Sequence, residues 1–524
     1  MSEPVLGDAA ALLGGRDEDV ALIEASSGAK VTYGALRARV ERAAARMRRD
    51  AEGDVAFVFA RNDAATVVEI LGGFAARVPV ALFDPRMADD VMDDLRRRYC
   101  PGTIRGVRTP VASFDSGLAG ARPTLRTNGG GAPTSGFDTG SGSGSGSGSA
   151  SGSGSASSSG RSPKPEARGP SPSQPEARSP VPAMHPDLGL LLSTSGSTGS
   201  PKLVRLSRTA VIANARSIAE ALAIAPGELA PTSLPIHYSY GLSVLTSHLV
   251  AGATVLLTDD GLLTDGFWTA CRTHRVTSLA GVPYSYLMLR RIDLDRVAPP
   301  TLRTFTQAGG RLDPTLVRHY AQKAVARGGR LYVMYGQTEA TARIAVLPPS
   351  ELPARAGAVG RAIPGGELTI DDGEVVYRGP NVMMGYALER ADLARGDELQ
   401  GTLRTGDLGH LDDDGFLWIT GRSRRIAKVF GLRLNLDELE ALGRAAAPGH
   451  DLAAIGDNDR VVVFVATGAV TDPAHPAADT LATIRTAIVG RLGIHPTGVL
   501  VTACEALPRL PSGKIDYRAL NVPS

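Results

Sequence analysis

The sequence predicts an α/β protein with a large layered N-terminal region and a small α+β unit at the C-terminal end. Two observations support this. Helical and extended hydrophobic patterns alternate along the chain, and such alternation builds α/β layers. The last hundred or so residues then carry a compact helix–strand–helix–strand pattern of their own.

The elements follow in order. Tyr33–Met47 places Leu36, Val40, Ala43, Ala44 and Met47 on one helical stripe. VAFVFA (Val55–Ala60) reads as a buried strand, and ATVVEILGGFAA as a helix weakened by its glycine pair. The stretch Ser141–Gly160 contains only Ser, Gly and Ala, and Pro-rich sequence follows it. Nothing over residues 127–182 can bury a core, so this segment is expected to stay disordered. As a flexible coil its ends would average roughly 40 Å apart, and bringing them together costs little. It therefore suits an insertion within one domain. Beyond it, Thr209–Leu222 is an amphipathic helix, and ATVLLT (Ala253–Thr258) and LYVMYG (Leu331–Gly336) are strands. Short strands with glycine turns are expected from about Arg355. The C-terminal pattern is a helix at Asp437–Ala446, the strand VVVFVAT, a helix at Thr480–Leu492 and the strand GVLVTA.

Composition narrows the class. Of 524 residues, 43% are apolar and 21% charged, and the formal net charge of +2 gives no global field for nucleic acid or an anionic membrane. Cys100, Cys271 and Cys504 lie too far apart for a metal-ligand motif or a disulfide framework and are expected to be reduced thiols. No apolar run reaches the ~18 residues of a membrane span, and the N-terminus lacks a signal-peptide pattern. A cytoplasmic protein is expected.

LSTSGSTGSPK (Leu192–Lys202) leaves an apolar run and at once supplies hydroxyls, glycines and a lysine. Backbone N–H groups freed by Gly196 and Gly199 can form an anion-holding concavity, with donors from Thr194, Ser195, Ser197 and Thr198 and charge from Lys202. A plain Ser/Gly turn is the alternative. The string is not a G-x-x-x-x-G-K-[ST] phosphate loop.

Four further stretches follow in order: YGQTEA (Tyr335–Ala340), RTGDLGHLDDDGFLWITGR (Arg404–Arg422), KVFGLRLNLDELE (Lys428–Glu440) and LPSGKIDYRAL (Leu510–Leu520). With the loop, this set resembles the ANL superfamily of adenylate-forming enzymes: acyl- and aryl-CoA synthetases, peptide-synthetase adenylation domains and luciferases. The resemblance implies an N-terminal AMP-binding (adenylation) domain over residues 1–421 and a small mobile lid over 424–524. It also implies two half-reactions, in which a carboxylate attacks the α-phosphate of ATP to give acyl-AMP and pyrophosphate, and a phosphopantetheine thiol then displaces AMP.

By the same resemblance, residues 194–202 would hold the β/γ-phosphates. Thr338 and Glu339 would serve phosphate and Mg²⁺, a hard oxygen-seeking ion. Tyr335, Gly336 and Gln337 would lie on the adenine side with Gly309, Gly310 and Arg311. Asp407 would accept from the ribose hydroxyls with Arg422 behind it; a turn-capping role before Gly409 is the alternative. Lys514 would bridge substrate carboxylate and adenylate oxygens, where a positioned ammonium stabilises gathering negative charge. Arg424 matches the hinge, a position where many members have Asp. Lys428 and Gly431 match the thiol-step loop.

The acyl pocket would be lined by His237, Tyr238, Gly241 and Tyr284. Amino-acid-activating relatives place an Asp in the first of these stretches, but Pro231–Thr258 contains no Asp or Glu, which speaks against an α-amino acid. For the acceptor, no Gly-Gly-Asp-Ser-Leu-type carrier site is present. The thiol is expected in trans, from coenzyme A or a free-standing carrier protein. An amide-forming ligase with an amine acceptor and a non-catalytic adenylate-binding protein are the alternative readings.

Overall fold

The computed structural model describes residues 6–51, 54–106, 183–193, 202–422, 425–429, 432–457, 460–467, 477–492, 495–510 and 513–520. The expected Ser/Gly/Pro-rich insert therefore lies outside the described residues, apart from its flanks.

Those flanks are informative. Ala56–Phe59, Val80–Phe83, Thr103–Arg105 and Leu188–Ser193 belong to one six-stranded sheet, completed by Leu203–Ser207 and Gly385–Ala387. The chain thus leaves this sheet after Thr103–Arg105 and re-enters it at Leu188. The strands are near-continuous apolar runs because both faces are covered. Val58, Val80 and Leu82 enter one core. Phe57, Phe59, Ala81 and Phe83 enter another.

On the first face lie the helices Tyr33–Asp50 and Ala64–Ala76, capped by Thr32 and Asp63, whose side chains accept from Ala35 and Thr66 N–H. The buried face of the first helix is the stripe read from the sequence, with Tyr33 added. The glycine pair has a packing reason. A Cβ on Gly72 would stand 2.8 Å from the Ala43 Cβ, and one on Gly73 2.2 Å from Val80 Cγ2. Glycine lets this helix lie against its neighbour and the sheet.

A second sheet of five strands runs Ser278–Gly281, Thr304–Gln307, Arg330–Tyr335, Ala345–Leu347, Arg361–Ala362. Its first three strands are parallel. Leu279, Phe305, Leu331 and Val333 pack on one side, with the helices Asp265–Thr273 and Pro314–Ala326. Ala280, Tyr332 and Met334 pack on the other, with Ile218, Leu222 and Tyr240. A four-stranded sheet of Lys30–Thr32, Val20–Glu24, Thr254–Leu257 and Leu229–Pro231 adjoins. The glycine-turn region forms an antiparallel sheet of Glu367–Asp371, Glu374–Arg378, Thr402–Leu411 and Leu417–Arg422. Asp407 sits inside its ten-residue strand, facing Arg422 in register, rather than capping a turn.

After Arg422 come a two-stranded ladder, Ile426–Val429 with Leu432–Asn435, and a three-stranded sheet of Asp451–Asp457, Arg460–Ala466 and Val499–Cys504. The helices Leu436–Ala446 and Ala477–Leu492 complete this part. Among the described residues, no hydrophobic cluster takes members from both sides of residue 422. Glu440 ties this C-terminal part together. Its carboxylate is 4% exposed and accepts from Arg425, Arg444 and the Ala454 N–H. Arg425 also pairs with Asp437 and lies 3.9 Å from the Tyr517 ring centre.

Candidate active site

Parallel strands gather chemistry at their carboxyl ends, where loops carry functional groups on a rigid base. Gly281, Gln307 and Tyr335 all end strands of the five-stranded sheet. After them come Pro283-Tyr284, Gly309-Gly310-Arg311 and Gly336-Gln337-Thr338-Glu339. Two of these glycines are required by space. Gly309 has φ +83, and a Cβ there would stand 2.7 Å from the Tyr238 hydroxyl. A Cβ on Gly336 would lie 1.9 Å from the Ala342 carbonyl oxygen, so Gly336 lets its own loop fold back. Gly310 accepts from Gln307 Nε2 at 2.8 Å, Gln337 Nε2 donates to Thr405 O at 3.4 Å, and Arg311 is exposed.

The strand Thr402–Leu411 presents the Asp407 carboxylate, which is buried. One oxygen accepts from Arg422 Nε at 3.0 Å and the other from the Tyr335 hydroxyl. Burial and the Asp407 charge push the Tyr335 phenol well above its ordinary range, so it stays a donor. Burial alone would lower Arg422, but Asp407 and Asp437 hold it above its usual value. Thr338 Oγ1 lies 3.2 Å from Ser239 Oγ. Glu339 accepts from the Tyr386 hydroxyl at 2.8 Å, and the Lys202 ammonium lies 5.5 Å from the Tyr386 ring centre. Tyr386 thus bridges Glu339 and the base of the Ser/Thr/Gly loop. Sequence reasoning missed it; the Gly385-Tyr386 pair on a short edge strand was the available signal.

Lys514 enters this cleft from the C-terminal segment. Its ammonium stands 5.9 Å from the Tyr238 ring centre. Protein crowding pushes its pKa down, Arg422 adds to this, and Glu339 and Asp407 oppose it. The residue is nonetheless exposed to solvent. Solvent screening therefore limits how strongly its charge is disfavoured. Gly513 packs beside it with φ +78, close to Tyr284.

The expected acyl-pocket residues separate. Tyr238 borders Gly309 and packs at 6.4 Å against Tyr240. His237 points elsewhere: its Nε2 is 3.6 Å from Asp84, and burial lowers its pKa against the pull of that carboxylate. The space beside Gly241 is filled by the Leu234 and Pro235 carbonyls, so its small size serves the start of the helix Ser239–Val250. Tyr284 is 38% exposed, with the Arg509 guanidinium 5.0 Å from its ring centre, so it contacts the C-terminal segment instead. A cavity does lie nearby, behind Tyr240 and Ala280, with Ser243, His248, Met334 and Arg343 in its wall. Thr194–Gly199, Arg424 and Gly431 lie outside the described residues. Lys428 is described only in its backbone, on the strand Ile426–Val429.

A family model described as AMP-binding enzyme matches residues 130–387. An indoleacetate–CoA ligase of Aromatoleum aromaticum is 30% identical over 365 residues, covering 65% of this chain and 68% of the relative. The chain belongs to the AMP-binding enzyme family. It is thereby an adenylate-forming enzyme of the ANL superfamily, as its five motifs suggested. A sulfoacetate–CoA ligase of Cupriavidus necator is 30% identical, covering 66% of this AMP-binding enzyme and 69% of the relative. The o-succinylbenzoate coenzyme A synthetase of Bacillus subtilis in complex with AMP shares the fold, with a TM-score of 0.68 at 19% identity, covering 100% of this chain and 98% of that one. Among the described residues of this AMP-binding enzyme, no helix is long and apolar enough to cross a membrane.

Proposed function

We propose that this chain is an AMP-forming acid–thiol ligase, joining a carboxylic acid to a phosphopantetheine thiol through an acyl-AMP. One observation carries the reading: the Lys514 ammonium stands 5.9 Å from the Tyr238 ring centre and feels the charges of Arg422, Asp407 and Glu339, which lie 92, 107 and 175 residues earlier in the chain. ATP is the co-substrate. Asp407, with both oxygens oriented by Arg422 and Tyr335, receives the ribose hydroxyls. Lys202, 5.5 Å from the Tyr386 ring centre, serves the outer phosphates. Lys514 reaches the carboxylate and the α-phosphate and steadies the negative charge that gathers as the new C–O–P bridge forms. Pyrophosphate leaves with the electrons of the broken P–O bond.

Glu339 fits Mg²⁺, a cation that accepts one protein carboxylate and completes its shell with phosphate oxygens and water. When bound, that ion neutralises phosphate charge. Residues 424–524 act as the lid, supported by a hydrophobic core that shares no members with the rest. Its rotation between half-reactions withdraws Lys514 and admits the thiol along residues 425–434.

The relatives' names support an acid–CoA ligase without choosing the acid: indoleacetate and 4-coumarate carry one anionic group, sulfoacetate and 2-succinylbenzoate two. Pyrophosphate–ATP exchange across a broad acid library tests the proposal. Acid-dependent exchange is expected, and its absence with every acid overturns the reading in favour of a non-catalytic adenylate binder. Coenzyme A, carrier protein and amines supplied in turn then identify the acceptor; an amide product and no thioester would refute the thiol step.

A further inference from the structure

A lysine ammonium rides on a flexible four-carbon stem, so its aim depends on how firmly the backbone beneath it is held. The Lys514 backbone is held by a small ladder. Arg509 and Ile515 pair in an antiparallel bridge, the Leu510 N–H donates to the Lys514 carbonyl at 2.8 Å, and the Gly513 N–H donates to the Leu510 carbonyl at 2.8 Å. Leu507 and Ile515 join the hydrophobic cluster of Val462 and Phe464, which ties the ladder to the C-terminal sheet.

This arrangement converges on one side chain, Arg509. Its Nη1 donates to the Gly513 carbonyl at 2.8 Å, next to Lys514, and its Nη2 pairs with Asp451 at the start of the strand Asp451–Asp457. The same guanidinium lies 5.0 Å from the Tyr284 ring centre, inside the ~6 Å reach of a cation–π contact. Tyr284 belongs to the N-terminal part, on the helix Pro283–Leu289 that follows the strand Ser278–Gly281. That helix is pinned from beneath: the buried Tyr286 donates to the Thr306 carbonyl at 2.9 Å, and Tyr320 donates to the Tyr286 carbonyl at 2.8 Å. The backbones also come close, since a Cβ on Gly513 would stand 3.2 Å from the Tyr284 Cβ. The clusters on the two sides of residue 422 are separate among the described residues, so no shared core fixes one part against the other. Single contacts such as this one then carry the alignment. A guanidinium suits the task, because its flat fork makes directed bonds at its edge while its face stacks on a ring.

We propose that Arg509 is a positioning residue for Lys514, and that its contact with Tyr284 is a latch holding the C-terminal part in the orientation that forms acyl-AMP. This rests on the ligase reading above. The thiol step uses the lid in another orientation, so the latch serves one half-reaction.

The test sets pyrophosphate–ATP exchange beside acyl transfer from a supplied acyl-AMP to coenzyme A, for Tyr284→Leu, Tyr284→Phe, Arg509→Gln and the Tyr284→Leu/Arg509→Gln double variant. Tyr284→Leu should slow exchange about three- to tenfold through kcat, by the same factor for every acid the wild type accepts, and Tyr284→Phe should recover most of that loss. Arg509→Gln also loosens the backbone beside Lys514 and should slow exchange about ten- to a hundredfold. The double variant should be within about twofold of Arg509→Gln, because the ring has already lost its partner. Transfer should stay within about threefold of wild type throughout. Where the wild type does not accept coenzyme A, the double-variant coupling and the independence from the acid decide alone. Where Arg509→Gln fails to fold, Arg509→Lys, which keeps a charge for Asp451, takes its place, with Tyr284→Leu again costing less than in the wild type. A Tyr284→Leu loss that falls on KM and differs from acid to acid would make the ring a pocket wall. Additive losses would make the contact incidental, and equal losses in exchange and transfer would make it merely structural. Each of these overturns the proposal and leaves the ligase reading standing, whereas a wild type silent with every acid overturns both.

Discussion

Replacing Lys514 with alanine probes the cleft most directly. The ammonium is held among Glu339, Asp407 and Arg422, beside the Tyr238 ring, in surroundings crowded enough to lower its pKa. On the proposed reading its contribution is to the transition state of adenylation, where charge accumulates on oxygens that the free acid and ATP carry separately. Removing a comparable preorganised group costs on the order of 3 kcal/mol, about a 150-fold loss of rate. Exchange with a good acid should therefore fall by roughly two orders of magnitude, with a smaller change in ATP affinity. Transfer from a supplied acyl-AMP to a thiol should stay within about twofold, because that step uses the lid in another orientation. Lys514→Arg keeps the charge and should recover part of the exchange. The sign of the pH effect follows from the lowered pKa: the active ammonium is present at low pH and lost as pH rises through that value. The alkaline limb of kcat/KM for exchange should thus lie below the ordinary 10.5 of a free lysine and vanish in the alanine variant. Equal damage to both half-reactions, or exchange at wild-type rates, would refute the placement of Lys514 in the chemistry.

Three other perturbations have defined outcomes. Gly336→Ala forces a Cβ to within 1.9 Å of the Ala342 oxygen, so the loop carrying Thr338 and Glu339 must move; a lower melting temperature and at least tenfold slower exchange are expected, whereas Gly490→Ala, with nothing within 4 Å, should leave both intact or raise stability slightly. Glu440→Ala leaves the buried Ala454 N–H without its acceptor and takes one carboxylate from Arg425, which keeps Asp437; it should destabilise the C-terminal part by about 1–3 kcal/mol, read as an early-melting transition. His248 has its pKa lowered to about 4 from 6.5, so the unfolded chain binds the extra proton and stability falls as pH drops from about 6.5 to 4, by roughly 3 kcal/mol in total; His248→Gln should flatten that part of the melting-temperature profile.

The layers were legible because hydrophobic periodicity is local: the stripe Leu36–Met47 and the strands at Ala56–Phe59 and Arg330–Tyr335 fall where the patterns put them. The motif residues converge for a similar reason, since each stretch carries its strand end and loop together. What depends on distant packing was not legible. No pattern near Arg509 signals that its guanidinium meets Tyr284, because that requires knowing what the helix Pro283–Leu289 brings beside it. Tyr386 meets Glu339 across 47 residues of sequence. Tyr284 and His237 were expected in the pocket by resemblance to the family's acyl-pocket stretches, yet one lies beside Arg509 and the other beside Asp84. The Gly72-Gly73 pair read as a weakness because propensity counts only the helix itself, and its partner surface lies elsewhere.

The nearness of Arg422 to Lys514 has a mechanical corollary. Like charges near each other repel, and on the proposed reading a polyanion bound between them would act as the catch on a compressed spring. On the proposed reading, bound triphosphate would draw the C-terminal segment inward; when pyrophosphate departed, much of the restraining charge would go with it and the segment would be urged outward. The timing of the swing would then be set by product release itself, without a separate trigger.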